Sequence, residues 1–383
     1  MTVQRLQQFG ETIFATMTAL ATEHNAVNLG QGFPDTDGPA RMLEIAQEQI
    51  AAGHNQYAPL RGVSQLLHAL SAHYGVPTDH LVVTAGATEA ITATVLGLVE
   101  PGQEVIVLEP YYDAYAAAIA LADATRVPVA LKPAGRTWDL DVDAVRAAVT
   151  DKTAMIIINS PHNPTGSVFS RAALEKLAAL CVEQDLLVLA DEVYEDLVFH
   201  GFFTSVRDLP GMADRTIKVS SAAKSFNATG WKTGWAIATP ELLDGVIKAK
   251  QFMSFVSTTP FQPAVAHALT HEQQWQTTMV TGLEECRDIL ADGLASLGYE
   301  VFDTPGTYYL VADVHEDAIE FCTRLPAERG VAAIPLSAFT DNPEPWKNLV
   351  RFAFCKRPEV IREAVKRLTA SSFPLLCPSP ARQ

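Results

Sequence analysis

Six short runs of apolar residues, each about the length of a β-strand, punctuate the first two-thirds of this chain. They are Leu81–Val83, Val105–Leu108, Met155–Ile158, Leu186–Ala190, Ile217–Val219 and Trp235–Ala238. Most are unbroken in Val, Ile and Leu rather than alternating with polar residues, the pattern of strands covered on both faces. Between them lie segments of helical period. Ile91, Val95, Leu98 and Val99 keep that spacing up to Pro101-Gly102, and Leu174, Leu177, Leu180 and Cys181 keep it after Ser170. Strand–helix alternation of this kind predicts an α/β fold with a mostly parallel sheet. Ligands in such sheets sit at the carboxyl ends of the strands, so the residues following each run are the ones to read.

Beyond about Thr258 helical patterns dominate, with short strands near Tyr308–Ala312 and Leu349–Phe354 and a last helix over Pro358–Leu368. The 383 residues suggest two or three domains at about 150 residues each. The expected division is an N-terminal segment, 1–35, belonging to the small domain; a large α/β domain, 36–258; a small α+β domain, 259–370; and a loosely ordered tail, 371–383. No Gly/Ser-rich linker or internal repeat interrupts this plan.

The 28 Lys and Arg against 44 Asp and Glu give a net charge of −16. Such a surface repels phosphate backbones and anionic lipid, which argues against nucleic-acid or membrane-surface partners while leaving room for a small anion in a locally positive pocket. The five cysteines, Cys181, Cys286, Cys322, Cys355 and Cys377, form no CxxC pair and read as reduced thiols. The opening MTVQRLQQFGETIF carries no apolar core of signal-peptide type. The longest weakly polar stretch, Ala114–Ala122, is about half the ~20 residues that span a bilayer. The expectation is a cytoplasmic protein.

Four strand ends carry candidate chemistry. Gly86-Ala87-Thr88-Glu89 opens a helix, where N–H groups without intrahelical partners suit a phosphate, although a tight turn alone would look the same. NSPHNPTG (Asn159–Gly166) is a stiff loop able to aim an amide inward. Asp191-Glu192-Val193-Tyr194 puts a carboxylate and a phenol three apart, a spacing also met in helix caps. Ser220–Lys224 and Thr229–Lys232 place lysines among small residues. A phosphate cradle, an inward lysine, an acid, a phenol and an amide on one sheet are what pyridoxal phosphate requires: a lysine for covalent attachment and an acid beside the pyridine nitrogen.

With these motifs the chain resembles the class I aminotransferases of the fold-type-I pyridoxal-phosphate-dependent family over nearly its whole length. NLGQGFPD (Asn28–Asp35), NQYAPLRG (Asn55–Gly62) and SSAAKSFNATGWKTGW (Ser220–Trp235) resemble the kynurenine, glutamine and methionine aminotransferase branch. Val83–Ile91, Gly330–Phe339 and Leu349–Arg357 resemble actinobacterial succinyldiaminopimelate aminotransferases.

The resemblance implies a role for each matching residue. Lys224 is the cofactor-bound lysine and Cα-proton carrier, and Asp191 the partner of the pyridinium N–H. Tyr194 and Asn163 are donors to the ring's phenolic oxygen. Gly86, Ala87, Thr88, Ser221 and Lys232 hold the phosphate, and Tyr112 stacks on the ring. Tyr57 reaches the phosphate in the neighbouring subunit, which implies a homodimer with shared sites. Arg351 clamps the substrate α-carboxylate, backed by Gly32 and with Asn163 beside it; the plain alternative is a surface ion pair of Arg351 with Glu344 or Glu359.

The implied reaction is ping-pong transfer of an amino group from an L-amino acid to a 2-oxo acid. Succinyldiaminopimelate with 2-oxoglutarate, a step of lysine and diaminopimelate biosynthesis, is the first expectation. Methionine, glutamine or kynurenine as donor, or β-elimination from cysteine S-conjugates, are alternatives. The segment 251–262, QFMSFVSTTPFQ, holds no arginine, which disfavours a short dicarboxylate donor. A transcription regulator on a degenerate aminotransferase domain fits less well, because Lys224, Asp191, Tyr194 and Arg351 are all present. A nicotinamide dehydrogenase lacks its G-x-G-x-x-G, and the ten histidines form no HExxH.

Overall fold

The computed structural model describes residues 2–10 and 12–370; the expectation for 371–383 lies outside the described residues. All six apolar runs are strands, each a residue or more longer than its apolar core or shifted by one: β1 (Leu81–Ala85), β2 (Glu104–Glu109), β4 (Thr153–Asn159), β5 (Leu187–Asp191), β6 (Thr216–Ser221) and β7 (Thr233–Ile237). A seventh, β3 (Thr125–Ala130), does not show in the apolar pattern. It lies at the sheet edge with Thr125, Pro128 and Ala130 exposed. An edge strand tolerates the proline that a central one would not, and its half-exposed residues hide it from a search for apolar runs.

The sheet order is β1-β7-β6-β5-β4-β2-β3. Pairs from β3 to β6 are parallel, and β7 runs antiparallel to both β6 and β1. That reversal follows from chain length. Only residues 222–232 separate β6 from β7, too few for the crossover that a parallel return needs. The short loop so formed carries Lys224 and Lys232.

Successive strand residues go to opposite faces. Val105 and Val107 pack with Ile91 and Val95 of α2 (Gly86–Leu98) on one side. Ile106 and Leu108 join Leu174, Leu177 and Leu180 of α4 (Arg171–Glu183) on the other. Ser170 caps α4 by accepting from the Ala173 N–H, and burial of each leucine contributes roughly 1.5–3 kcal/mol. Where α2 meets β7 the backbones nearly touch: a Cβ on Gly234 would lie 2.6 Å from the Gly86 carbonyl carbon. Glycine is the residue that permits this approach.

A second, antiparallel sheet joins β8 (Glu300–Val301), β9 (Tyr309–Asp313), β11 (Leu349–Ala353) and β10 (Ile334–Pro335) in that order. The first residues run with this part of the molecule: α1 (Ile13–Glu23) precedes Val27–Asn28, which pairs with Val331–Ala332. One apolar core passes from α4 and its face of the large sheet to Leu310, Val311 and Phe352 of the second sheet, with no break. No helix among the described residues is long and apolar enough to cross a membrane.

Candidate active site

The carboxyl ends of β4, β5 and β6, the start of α2 and the central strand β11 converge on a cavity of about 360 Å³. It is lined by twelve of the thirteen residues named from the sequence: Gly32, Gly86, Ala87, Thr88, Tyr112, Asn163, Asp191, Tyr194, Ser221, Lys224, Lys232 and Arg351. Tyr57 is not among them. It is 81% exposed and sets its ring edge against Phe255, 5.5 Å away.

Asp191 ends β5, where its carboxylate accepts the Tyr115 hydroxyl at 2.6 Å. Asn159, at the end of β4, donates Nδ2 to the Asp191 carbonyl at 2.8 Å and accepts the Asn163 N–H at 2.7 Å, which staples the NSPHNPTG loop to β5. Burial pushes the Asp191 carboxyl up to about 6, against the pull of Tyr115, the Val193 N–H and Lys224. A buried carboxylate without its own ion pair favours a cation beside it.

Asn163 Oδ1 accepts from Arg351 at 2.9 Å. Arginine only donates, so the Asn163 oxygen faces it and the Nδ2 donors are turned elsewhere. The Tyr194 hydroxyl donates to Tyr309 at 3.3 Å, and burial raises its pKa well above the ordinary tyrosine value. Arg351 is 2% exposed. It donates to the Gly30 carbonyl at 2.7 Å, and its Nε has no partner. Glu344 and Glu359 pair instead with Lys347 and Arg357, so the surface ion pair considered for Arg351 is not formed.

At the start of α2 the Ala85 N–H is taken by Glu89 at 2.6 Å. The helix has no side-chain cap, so its following N–H groups border the cavity. Lys232, in the left-handed region at φ 52°, lies across Gly86, where a Cβ would come 3.1 Å from its Nζ. A glycine, bare N–H groups and an ammonium at a helix N-terminus make a cradle for a dianion. The Lys224 Nζ contacts the Tyr308 hydroxyl at 2.6 Å.

The family profile for aminotransferase class I and II matches residues 24–368. The chain belongs to the class I and II aminotransferases. It is 51% identical to a probable N-succinyldiaminopimelate aminotransferase of Mycobacterium tuberculosis, over 96% of this chain and 98% of that one. It is 38% identical to a methionine aminotransferase of Escherichia coli, over 95% and 97%. A solved structure of N-succinyldiaminopimelate aminotransferase from M. tuberculosis superposes with a TM-score of 0.94 at 52% identity, covering 96% of this chain and 99% of that one. The expected fold is therefore the observed one. Aminotransferases of this family work with pyridoxal 5′-phosphate, and the cavity suits it: its lining holds a cradle for a dianion, a buried carboxylate for a protonated nitrogen, and a lysine.

Sequence reading missed Tyr115, Tyr308 and Tyr309. Tyr115 stands three residues after Tyr112, one helical turn on, and that spacing was the available signal. Tyr308 and Tyr309 form a tandem pair in GTYYL that looks like ordinary strand filling.

The Asp191 burial has a measurable sign. A carboxyl whose folded pKa is raised keeps its proton on folding, so stability falls as pH rises from about 4 to 6. Protein stripped of cofactor should lose on the order of 2–3 kcal/mol of unfolding free energy across that window. Asp191→Asn should flatten this part of the urea-denaturation profile. An unchanged slope in the variant would place the titration elsewhere.

Proposed function

We propose that this aminotransferase takes N-succinyldiaminopimelate as amino donor and 2-oxoglutarate as acceptor. The observation that carries the reading is the 51% identity, across nearly the full length of both chains, to the mycobacterial protein named for that donor. The absence of arginine from 251–262 and the apolar walls Phe14, Phe33 and Ile91 support an elongated donor.

Bound pyridoxal phosphate supplies an electron sink that makes the donor's Cα–H acidic and carries the amino group between substrates. The protein's own residues do the rest. Lys224 holds the cofactor between turnovers and, once released, takes the Cα proton on Nζ and later gives it back. Asp191 would keep a proton on the pyridine nitrogen, while Tyr194 Oη, its hydroxyl turned from Tyr309, and Asn163 Nδ2 would donate to the ring's phenolic oxygen. Tyr112 would cover a ring face. Gly86, Ala87, Thr88, Ser221 and Lys232 would hold the phosphate. Arg351 binds the α-carboxylate through two parallel N–H donors, with Gly32 at its back and Asn163 fixing the guanidinium.

A transamination panel tests the donor. Succinyldiaminopimelate should exceed methionine, glutamine and kynurenine in kcat/KM, and an S-substituted cysteine should release little pyruvate. Preference for methionine or kynurenine would overturn the donor assignment. Arg351→Lys should cost about ten- to a hundredfold in kcat/KM with every amino acid, from the loss of one charge-assisted hydrogen bond, while the cofactor spectrum stays normal. A loss confined to one substrate would move Arg351 to side-chain recognition.

We propose as well that two copies share their sites, Tyr57 reaching the partner's phosphate. Tyr57, Phe252, Met253 and Phe255 are all exposed, and the Tyr57 and Phe255 rings meet edge-on; adjoining exposed apolar side chains mark interaction surfaces. Hybrids of inactive Tyr57 and Lys224 variants should regain one working site per mixed dimer. An active monomer in sedimentation at assay concentration would contradict this.

A further inference from the structure

One contact to the reactive amine belongs to none of the roles above. Lys224 Nζ donates to the Tyr308 hydroxyl at 2.6 Å, and that hydroxyl donates to the Gly32 carbonyl at 2.7 Å. The direction is forced. A carbonyl only accepts, so the phenolic hydrogen points to Gly32 and an oxygen lone pair is left for the amine. Nζ itself lies 3.4 Å from the same carbonyl.

The arrangement is held from every side. Tyr308 is 1% exposed. Its ring meets that of Tyr194 edge-on at 5.4 Å and that of Tyr309 at 4.9 Å, and its carbonyl accepts the Phe354 N–H at 2.9 Å. Gly32 is equally constrained, since a Cβ there would sit 1.8 Å from the Tyr309 hydroxyl. Burial, with Tyr194 and Tyr309 nearby, raises the Tyr308 pKa well above the ordinary tyrosine value, so the hydroxyl stays neutral and acts on Lys224 as a fixed acceptor.

We propose that Tyr308 is a further catalytic residue, whose hydroxyl grips one N–H of the Lys224 amine and so aims its lone pair at the substrate Cα. When the proton moves, the Cα–H bond breaks and an N–H bond forms. The bonding pair stays with the substrate, and the amine becomes an ammonium with two acceptors, Tyr308 and Gly32, in reach. Tyr308 neither gains nor loses a proton. A lysine on a flexible stem would otherwise search many rotamers between the two transfers, and restricting that search is what a positioned base requires. The inference rests on the reading of Lys224 as the proton carrier. The plain alternative is that Tyr308 fills the core and its hydroxyl merely satisfies Gly32.

The test is Tyr308→Phe, which removes one oxygen and keeps the ring. In the loaded variant KM for the donor should stay within about threefold, while kcat falls about ten- to a hundredfold, the range expected for one hydrogen bond to a charged group. The isotope effect from a Cα-deuterated donor should rise as proton transfer becomes more limiting.

A second readout needs no turnover. When protein stripped of cofactor recaptures pyridoxal phosphate, the Lys224 amine must be presented to it in the right direction. Losing the hydroxyl that aims that amine should slow the time profile of capture about tenfold at fixed pH. The other titratable groups facing Lys224, namely Asp191, Tyr194, Arg351 and Cys355, are unchanged in the variant.

Unchanged kcat, isotope effect and capture profile in a folded, loaded variant would overturn the proposal. Should the variant not fold, fluorinated tyrosines inserted at 308 keep the volume nearly constant while weakening the oxygen as acceptor. The rate should then fall with phenol acidity, and a flat series would overturn the proposal as well. Loss of borohydride labelling at Lys224 in the wild-type enzyme would instead remove the underlying reading of the lysine.

Discussion

A guanidinium buried inside this protein sets what the rest of the site must be. Arg351 occupies the middle of β11, paired on one side with Val311 and on the other with Ile334. Its charge lies among the rings of Tyr309 at 4.1 Å and Phe339 at 4.7 Å. Among the described residues no carboxylate forms an ion pair with it; the Asn163 amide and the Gly30 carbonyl are its hydrogen-bond partners. A cation taken from water without a counter-ion is costly, and a carboxylate docking there would offset that cost. The same two hydrogen bonds join segments 188 and 321 residues apart in the chain. The buried cation and the junction between the two sheets are therefore one structure.

The turn after β5 has its own anchor. Lys218 pairs with Glu192 at 2.9 Å and with Glu195 at 2.6 Å, Lys218 and Glu192 buried and Glu195 nearly so. Glu195 also accepts the Tyr74 hydroxyl at 2.6 Å, and Glu192 accepts from Ser205 and the Val206 N–H. With its remaining lone pairs met in this way, a buried ion cluster is tolerable and rigid. Asp191 and Tyr194 are interleaved with these glutamates, so their directions are fixed by the same contacts. Within an acidic protein of net charge −16, Lys224, Lys232 and Arg351 outnumber the carboxylates Asp113 and Asp191 in the lining of one cavity. That local field suits an anionic cofactor and acid substrates.

The sheet was legible in the sequence because burial on both faces leaves unbroken apolar runs, and strand ends then directed attention to Asp191, Asn163 and Lys224. The edge strand β3 escaped because Thr125, Arg126 and Pro128 are what an edge tolerates and a core does not. Arg351 had two readings from sequence, surface ion pair or buried clamp, and only tertiary packing decides between them. Tyr308 and Tyr309 were invisible for a related reason. A tyrosine's hydroxyl acquires a role from what it meets across the fold, and local spacing does not encode that. Tyr57, exposed in this chain, is the one named residue that does not line the cavity.

Lys224, on the short loop that reverses the sheet between β6 and β7, is the residue we propose to carry the cofactor. Borohydride reduction of the purified enzyme loaded with pyridoxal phosphate, followed by peptide mapping, tests this most directly. The expected result is loss of the visible band and a pyridoxyl group on Lys224 alone. A reduced label on Lys232, or on any other lysine, would contradict it.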